Sequence, residues 1–277
     1  MTFKNIRQEK IELVNCNLCG QDNTDDFLLL KDYKYVRCHH CGLIYQNPRP
    51  VFQDLKFRYS KKYFQYEFRN HYNFFLLMKH TLKDINFLKR KEFQQIRDRT
   101  FLDIGCATGL LLNYIRPFNW KVQGVEICRE SVDYARKNFH LDIFHGSFEQ
   151  ARFKGNTFDV IHFSHLIEHL PDPLSTLRSI YRVLKKGGYI LVTTPRQDSF
   201  QARIFQSDWR SFHRDHLTIF TKDTLTTMIK KAKFNIKRFI SWGGIAKGST
   251  NDVIKFIADK AVKLFNIGDV MFILAQK

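Results

Sequence analysis

The sequence predicts an α/β fold: a doubly wound, mostly parallel sheet with a small cysteine-held ribbon in front of it. Three observations predict it. Two CxxCG knuckles stand near the start, Cys16-Asn-Leu-Cys19-Gly20 and Cys38-His39-His40-Cys41-Gly42. Beyond residue 100, short apolar runs alternate with amphipathic stretches, the signature of successive βαβ units. The first of those runs feeds directly into a small-residue turn, Asp103-Ile104-Gly105-Cys106-Ala107-Thr108-Gly109.

The chain has 277 residues, of which 44% are hydrophobic, enough for one large domain plus a small module and unlike a disordered chain. It divides into residues 1–50, the ribbon; 51–98, a helical lid or linker; and 99–277, the sheet domain. No apolar run approaches the ~20 residues that span a bilayer. The first residues mix charged and apolar types without the continuous apolar stretch of a signal peptide. The expectation is a cytoplasmic protein without a transmembrane segment. The formal net charge of +18 favours polyanionic partners such as RNA, phosphorylated sugars or an anionic surface. A Lys-rich composition spread along the chain gives the same number, so charge does not choose among them.

In the ribbon, each CxxCG places two thiols at a tight turn, and glycine accommodates the backbone that follows. Two such turns supply Cys16, Cys19, Cys38 and Cys41 as a four-sulfur set for one tetrahedral zinc. Four protein ligands close the coordination sphere, so that zinc is expected to be structural. Residues 27–30 and 33–37 read as the strands between the knuckles. Residues 56–72 then interleave aromatic and basic side chains, a pattern that suits either stacking on a nucleic acid or a lid over the next domain. Residues 73–97 carry Phe74, Leu77, Met78, Leu82, Ile85 and Leu88 at helical spacing.

The sheet domain opens with a strand at 101–104 and a helix at 109–115 stopped by Pro117. Strands follow at 122–127, 141–144 and 160–163, with a helix at 131–139. Asp172-Pro173 starts a further helix, Asp as cap and Pro in the first turn. Lys185-Lys186-Gly187-Gly188 is expected to end it with cations and a glycine cap. Strands at 189–193, 236–241 and 270–275, and a helix capped by Thr221, complete the pattern. In such sheets the ligand lies at the carboxyl ends of the strands.

The next strand after the small-residue turn ends in Glu126, a carboxylate placed to accept the ribose hydroxyls of an adenosine. The pyrophosphate spacing GxGxxG is missing, which disfavours a nicotinamide dehydrogenase. At these residues the sequence resembles the class I S-adenosylmethionine-dependent methyltransferases, which have a seven-stranded Rossmann-like sheet. Phe101-Leu-Asp-Ile-Gly-Cys-Ala-Thr-Gly109 resembles their first motif, with Ala107 at the commonly glycine middle position. The stretch from Phe158 through His165-Leu-Ile-Glu-His169-Leu-Pro-Asp-Pro173 resembles the fourth-strand motif of ubiquinone-biosynthesis enzymes. The flanks resemble bacterial methyltransferases that carry a CxxC–CxxC ribbon and decorate sugars and surface polysaccharides.

The resemblance implies S-adenosylmethionine as cofactor, held by Asp103, Gly105, Ala107, Gly109, Glu126 and Ile127. Ser147 and Phe148 are then expected to border adenine, and Ser164 and His165 the methionine end. His169 and His216 are the candidate general bases for a hydroxyl acceptor, although each also suits a structural role at a turn. The expected reaction is O-methylation of a sugar, glycan or other small molecule, phosphorylated or not, in polysaccharide biosynthesis. RNA methylation is the alternative. Against it, Ser164-His165-Leu166-Ile167 stands where base-methylating enzymes carry an Asn-Pro-Pro-Tyr-type tetrapeptide.

Overall fold

The structure, a computed structural model, describes residues 9–59, 61–243, 251, 260 and 262–277. Residues 1–8 of the ribbon span, Ser60 of the aromatic and basic stretch, and parts of 244–261 lie outside the described residues. The chain begins with β1 (Ile11–Glu12), β2 (Thr24–Leu29), β3 (Lys34–Cys38), β4 (Ile44–Gln46) and β5 (Arg49–Pro50). Helices α1 (Phe52–Leu55), α2 (Lys61–Asp84) and α3 (Lys91–Gln94) connect these to the sheet domain. The domain itself runs β6 (Thr100–Ile104), α4 (Leu110–Ile115), β7 (Lys121–Glu126), α5 (Arg129–Phe139), β8 (Ile143–His145) and β9 (Phe158–Ser164). After these come α6 (Pro173–Val183), β10 (Leu184–Pro195), α7 (Phe200–Phe205), β11 (Thr218–Ile219), α8 (Lys222–Lys231), β12 (Asn235–Trp242) and β13 (Val270–Gln276).

Seven strands form one sheet in the order β12-β13-β10-β9-β6-β7-β8. The pairings β10–β9, β9–β6, β6–β7 and β7–β8 are parallel, and β13 lies antiparallel to both its neighbours. This is the doubly wound, mostly parallel sheet predicted from the alternation. Period-two side-chain alternation splits the core into two layers. Leu102, Ile161, Val192 and Ile273 face α6 and α8. Phe101, Val160, Leu191 and Phe272 face α4, α5 and the end of α2. Both faces are covered, which explains why the central strands are almost continuously apolar.

Two expectations change. Lys185-Lys186-Gly187-Gly188 does not cap α6: the helix ends at Val183, its C-cap is Leu184 in extended geometry, and the four residues lie within β10. The pairing of β10 with β9 shifts register between Leu184 and Tyr189, so the glycines take up an irregularity inside the strand. The second change concerns the stretch at 56–72, most of which is the first half of α2, a single helix of 24 residues. Its Phe64 and Phe68 rings pack on Tyr134 of α5, and Phe75 packs on Tyr114 of α4.

The ribbon does not stand apart from the domain. β11 pairs antiparallel with β4, extending the ribbon sheet to the order β11-β4-β3-β2. Cys16, Leu18, Val36, Leu43 and Tyr45 belong to the same continuous apolar core as Phe220 and Leu225. The spacing of the cysteines could not announce a strand contributed from residues so far along the chain.

Candidate active site

The glycine turn follows from packing. Gly105 and Gly109 both have positive φ, and a Cβ on Gly109 would lie 2.6 Å from Leu141 Cδ1 and 3.1 Å from Ala135 Cβ. Only a residue without a side chain lets α4 begin this close to α5 and β8. Ala107 also has positive φ, at 47°, a conformation costly for a residue with a Cβ and one that concentrates at functional sites.

Glu126 closes this turn. Its Oε2 accepts the Ala107 N–H at 2.9 Å and its Oε1 accepts the Cys128 N–H at 2.8 Å. Burial pushes its carboxyl above the usual range, against those backbone bonds that favour the charged form. Each oxygen retains a lone pair for a ligand hydroxyl. Asp103 is placed differently from a surface ligand: it is 2% exposed, and the His162 ring holds its Oδ1 at 2.6 Å. Ile127 anchors the same strand end, its carbonyl 3.2 Å from His145 Nε2. Ser147 and Gln150 cap one another in the turn after β8, with Phe148 buried behind them.

Three residues of α2 and the segment before it feel the Glu126 charge: Tyr59 and Tyr63, which belong to the aromatic and basic stretch, and Glu67, which the sequence reading did not single out. Tyr59 and Tyr63 have their phenols pushed up, first by burial and then by neighbouring carboxylates that include Glu126. Glu67, one turn beyond Tyr63, is raised to about 7 by burial and by the Glu126 charge, with Tyr63 and His165 opposing. The Tyr63 and Glu67 spacing, one helical turn, was the available signal.

A second cluster forms where β9 ends. Ser164 ends the strand and His165 follows it, with a positive φ of 51° before the short turn Ile167–His169. Glu168 is 1% exposed; Thr194 Oγ1 donates to its Oε2 at 2.9 Å, and His165 Nδ1 stands 3.4 Å from Oε1. Burial opposes its ionisation, yet His165, His169 and His216 hold its carboxyl at about 2. The two candidate bases meet here, with the His169 and His216 ring centroids 4.7 Å apart. Burial and the neighbouring His169 lower His216 to about 4. Glu168 was legible in the pattern His165-x-x-Glu168-His169, whose spacing puts all three on one side of a helical turn.

The ribbon carries the loop that presents His216. Tyr35 Oη donates to the carbonyls of His213 and His216, both at 2.9 Å. Gln46 Nε2 donates to the His216 carbonyl at 2.9 Å and to that of Arg214 at 3.0 Å. Arg58 pairs with Asp215, and Trp209 Nε1 donates to buried Asp269 at 2.6 Å. In the knuckles, Gly20 and Gly42 adopt positive φ, and the four thiol sulfurs lie within 4.8 Å of one another. All four cysteines are unbridged, and a set of four thiols this close fits one tetrahedral ion of the zinc class.

A family model described as a methyltransferase domain matches residues 71–238. The chain belongs to this family. It is 23% identical over 159 residues to the ubiquinone biosynthesis O-methyltransferase of Hydrogenovibrio crunogenus, covering 54% of this chain and 59% of that protein. With the protein of the same name from Aliivibrio fischeri it shares 31% identity over 99 residues, 34% of this chain and 42% of the relative. The chain thus spans about half the length of these relatives. Among solved structures it is similar to a SAM-dependent methyltransferase from Archaeoglobus fulgidus, with a TM-score of 0.55 and 22% identity over 78% of this chain and 99% of that one. A SAM-dependent methyltransferase from Thermotoga maritima, a possible histamine N-methyltransferase, aligns with a TM-score of 0.51, the same identity and the same coverage. The fold and the methyltransferase resemblance read from the motifs are therefore met. No helix among the described residues is long and apolar enough to cross a membrane.

Proposed function

We propose that this protein transfers the methyl group of S-adenosylmethionine to a hydroxyl of a sugar, glycan or other small molecule in the cytoplasm. The observation that carries the proposal is the polar cluster of Glu168, His169 and His216 at the end of β9, the strand paired with β6, which runs into the glycine turn. Methyl transfer to oxygen needs an acceptor held in line with the sulfonium and relieved of its proton, and imidazoles suit that task. In this reading Glu126 takes the ribose hydroxyls, and the backbone of Gly105, Ala107 and Gly109 lies against the cofactor. Ser147 and Phe148 border adenine, Ser164 and His165 border the methionine end, and Asp103 acts near the methionine amino group. Residues 51–98 serve as the lid, a reading supported by the Glu126 charge felt at Tyr59, Tyr63 and Glu67 and by the packing of Phe64 and Phe68 on Tyr134. The ribbon of residues 1–50 holds a structural zinc and steadies the His216 loop of the domain at 99–277.

The names of the ubiquinone-biosynthesis relatives support oxygen as the methylated atom. The resemblance of the flanks to ribbon-bearing enzymes supports a saccharide acceptor and a place in polysaccharide biosynthesis. The base assignment is tested with His169→Ala and His216→Ala. Turnover should fall by roughly 10²–10⁴-fold with little change in cofactor affinity. Near-wild-type turnover in both variants would overturn it.

A further inference from the structure

We propose that Glu168, His169 and His216 form a binding site for one divalent first-row transition metal, separate from the four-thiol site of the ribbon. Each side chain offers one ligand atom, and the three atoms lie within 4.8 Å of one another. The remaining atoms of the same side chains are already engaged, and in the manner that metal sites require. His169 Nδ1 lies 2.8 Å from the Asp215 carbonyl, and His216 Nδ1 lies 2.8 Å from the Ser211 carbonyl. A carbonyl oxygen only accepts, so Nδ1 carries the proton in both rings. In the neutral imidazole, Nε2 then keeps its lone pair. Glu168 repeats the arrangement: Oε2 accepts from Thr194, while Oε1 is shielded from solvent and has no well-formed hydrogen-bond partner.

His165 Nδ1 stands 3.4 Å from Oε1 without forming a good hydrogen bond, and on a carboxylate that is 1% exposed a cation satisfies that oxygen better. Two imidazoles and one carboxylate suit borderline cations such as Fe²⁺, Co²⁺ or Zn²⁺, and the harder Mn²⁺ more weakly, over Mg²⁺, which prefers an all-oxygen shell. The donor set also differs from the soft thiols of the ribbon, so the two sites can be told apart chemically. Rigidity is supplied from outside: the Ile167–His169 turn sits at the end of β9, and Tyr35 and Gln46 pin the His216 backbone.

Three protein ligands leave coordination positions open. Resting on the proposed hydroxyl methylation, the acceptor oxygen takes one of them. Coordination lowers the pKa of the hydroxyl, and its proton passes to water. The oxygen lone pair then forms the new O–C bond as the S–C bond breaks, and sulfur keeps that electron pair as a neutral thioether. The metal in this scheme takes over the task that His169 or His216 would otherwise perform as a base.

The test reads metal directly. Protein is treated with EDTA, freed of chelator by gel filtration, analysed for the zinc it retains and titrated with Mn²⁺, following the electron paramagnetic resonance of the free aquo ion. One bound Mn²⁺ per chain is expected. Glu168→Gln, nearly isosteric, and His216→Ala should each weaken binding at least tenfold. Zinc content and the far-ultraviolet circular dichroism spectrum should stay unchanged. No Mn²⁺ uptake by the wild-type protein, or equal uptake by wild type and both variants, overturns the site. The methyltransferase reading fails separately, by loss of S-adenosylmethionine binding or of methyl transfer in the wild type.

Discussion

Replacing Glu126 by Ala should weaken S-adenosylmethionine binding at least tenfold and also lower the stability of the ligand-free protein. The carboxylate accepts two backbone N–H groups, from Ala107 and Cys128, and so ties the glycine turn to the end of β7. Bonds to a charged acceptor contribute roughly 1.5–3 kcal/mol each, so the pair is worth about 3–6 kcal/mol before any offset. Part is offset, because burial already penalises this carboxylate and pushes its pKa up. A net cost of about 1–3 kcal/mol corresponds to a Tm lowered by roughly 2–10 °C for a domain of this size. The two ribose hydroxyls would lose a charged acceptor as well, and about 1.4 kcal/mol already gives a factor of ten in Kd. Glu126→Gln should fall between wild type and Ala, since its amide offers one acceptor oxygen and must set its NH₂ against one of the two donors. Calorimetric titration and thermal melting measure both effects. Unchanged affinity in Glu126→Ala would refute the ribose assignment, and an unchanged Tm would refute the clamp.

Four further outcomes rest on the same geometry. Elemental analysis should find zinc held by the ribbon thiols, about one ion per chain, and Cys38→Ser should abolish it; zinc-free wild-type protein purified without chelator would contradict this. Because Tyr35 and Gln46 hold the His216 loop, Cys38→Ser should depress turnover more than cofactor affinity, and the reverse pattern would disprove the coupling. Glu67 is raised to about 7 from 4.5, so its contribution to stability is complete below pH 4.5 and is lost as pH rises through 7. Glu67→Gln should flatten that loss, and affinity for the cationic cofactor should rise over the same window in wild type alone. Parallel pH profiles of wild type and variant would count against it. Gly109→Ala should cost roughly 1–3 kcal/mol, since its Cβ would press on Leu141 and its φ is left-handed, and a Tm within error of wild type would refute the packing argument.

The parallel sheet was legible because its signals are local. Apolar runs of strand length, the Asp172 cap that accepts from Ser175, and the Thr221 capping box are all encoded within a few residues. The positions of Gly105 and Glu126 at strand ends, and of Gly109 at the start of α4, followed from the same pattern. What escaped depends on distant partners. The β11–β4 pairing joins residues far apart in the chain, and the anchoring of the His216 loop by Tyr35 and Gln46 exists only once that pairing forms. The Asp103–His162 contact lies across adjacent strands and depends on their pairing, so no local pattern announces it. Helix α2 was obscured at its start because exposed Lys61, Lys62 and Arg69 are interleaved with aromatics that pack inward on Tyr134. The glycines at 187–188 illustrate the opposite error: a sequence that reads as a helix cap serves as an irregularity within β10.

The central claim is transfer of a methyl group from S-adenosylmethionine to the oxygen of a small hydroxylated acceptor. Purified protein incubated with the methyl-deuterated donor and a panel of nucleotide sugars, free saccharides, phenols and cellular RNA tests it most directly, read by mass spectrometry. One trideuteromethyl group is expected on oxygen in a small acceptor, with S-adenosylhomocysteine formed in equal amount. Label appearing only in the RNA fraction, or on nitrogen or carbon of the small acceptors, would contradict it.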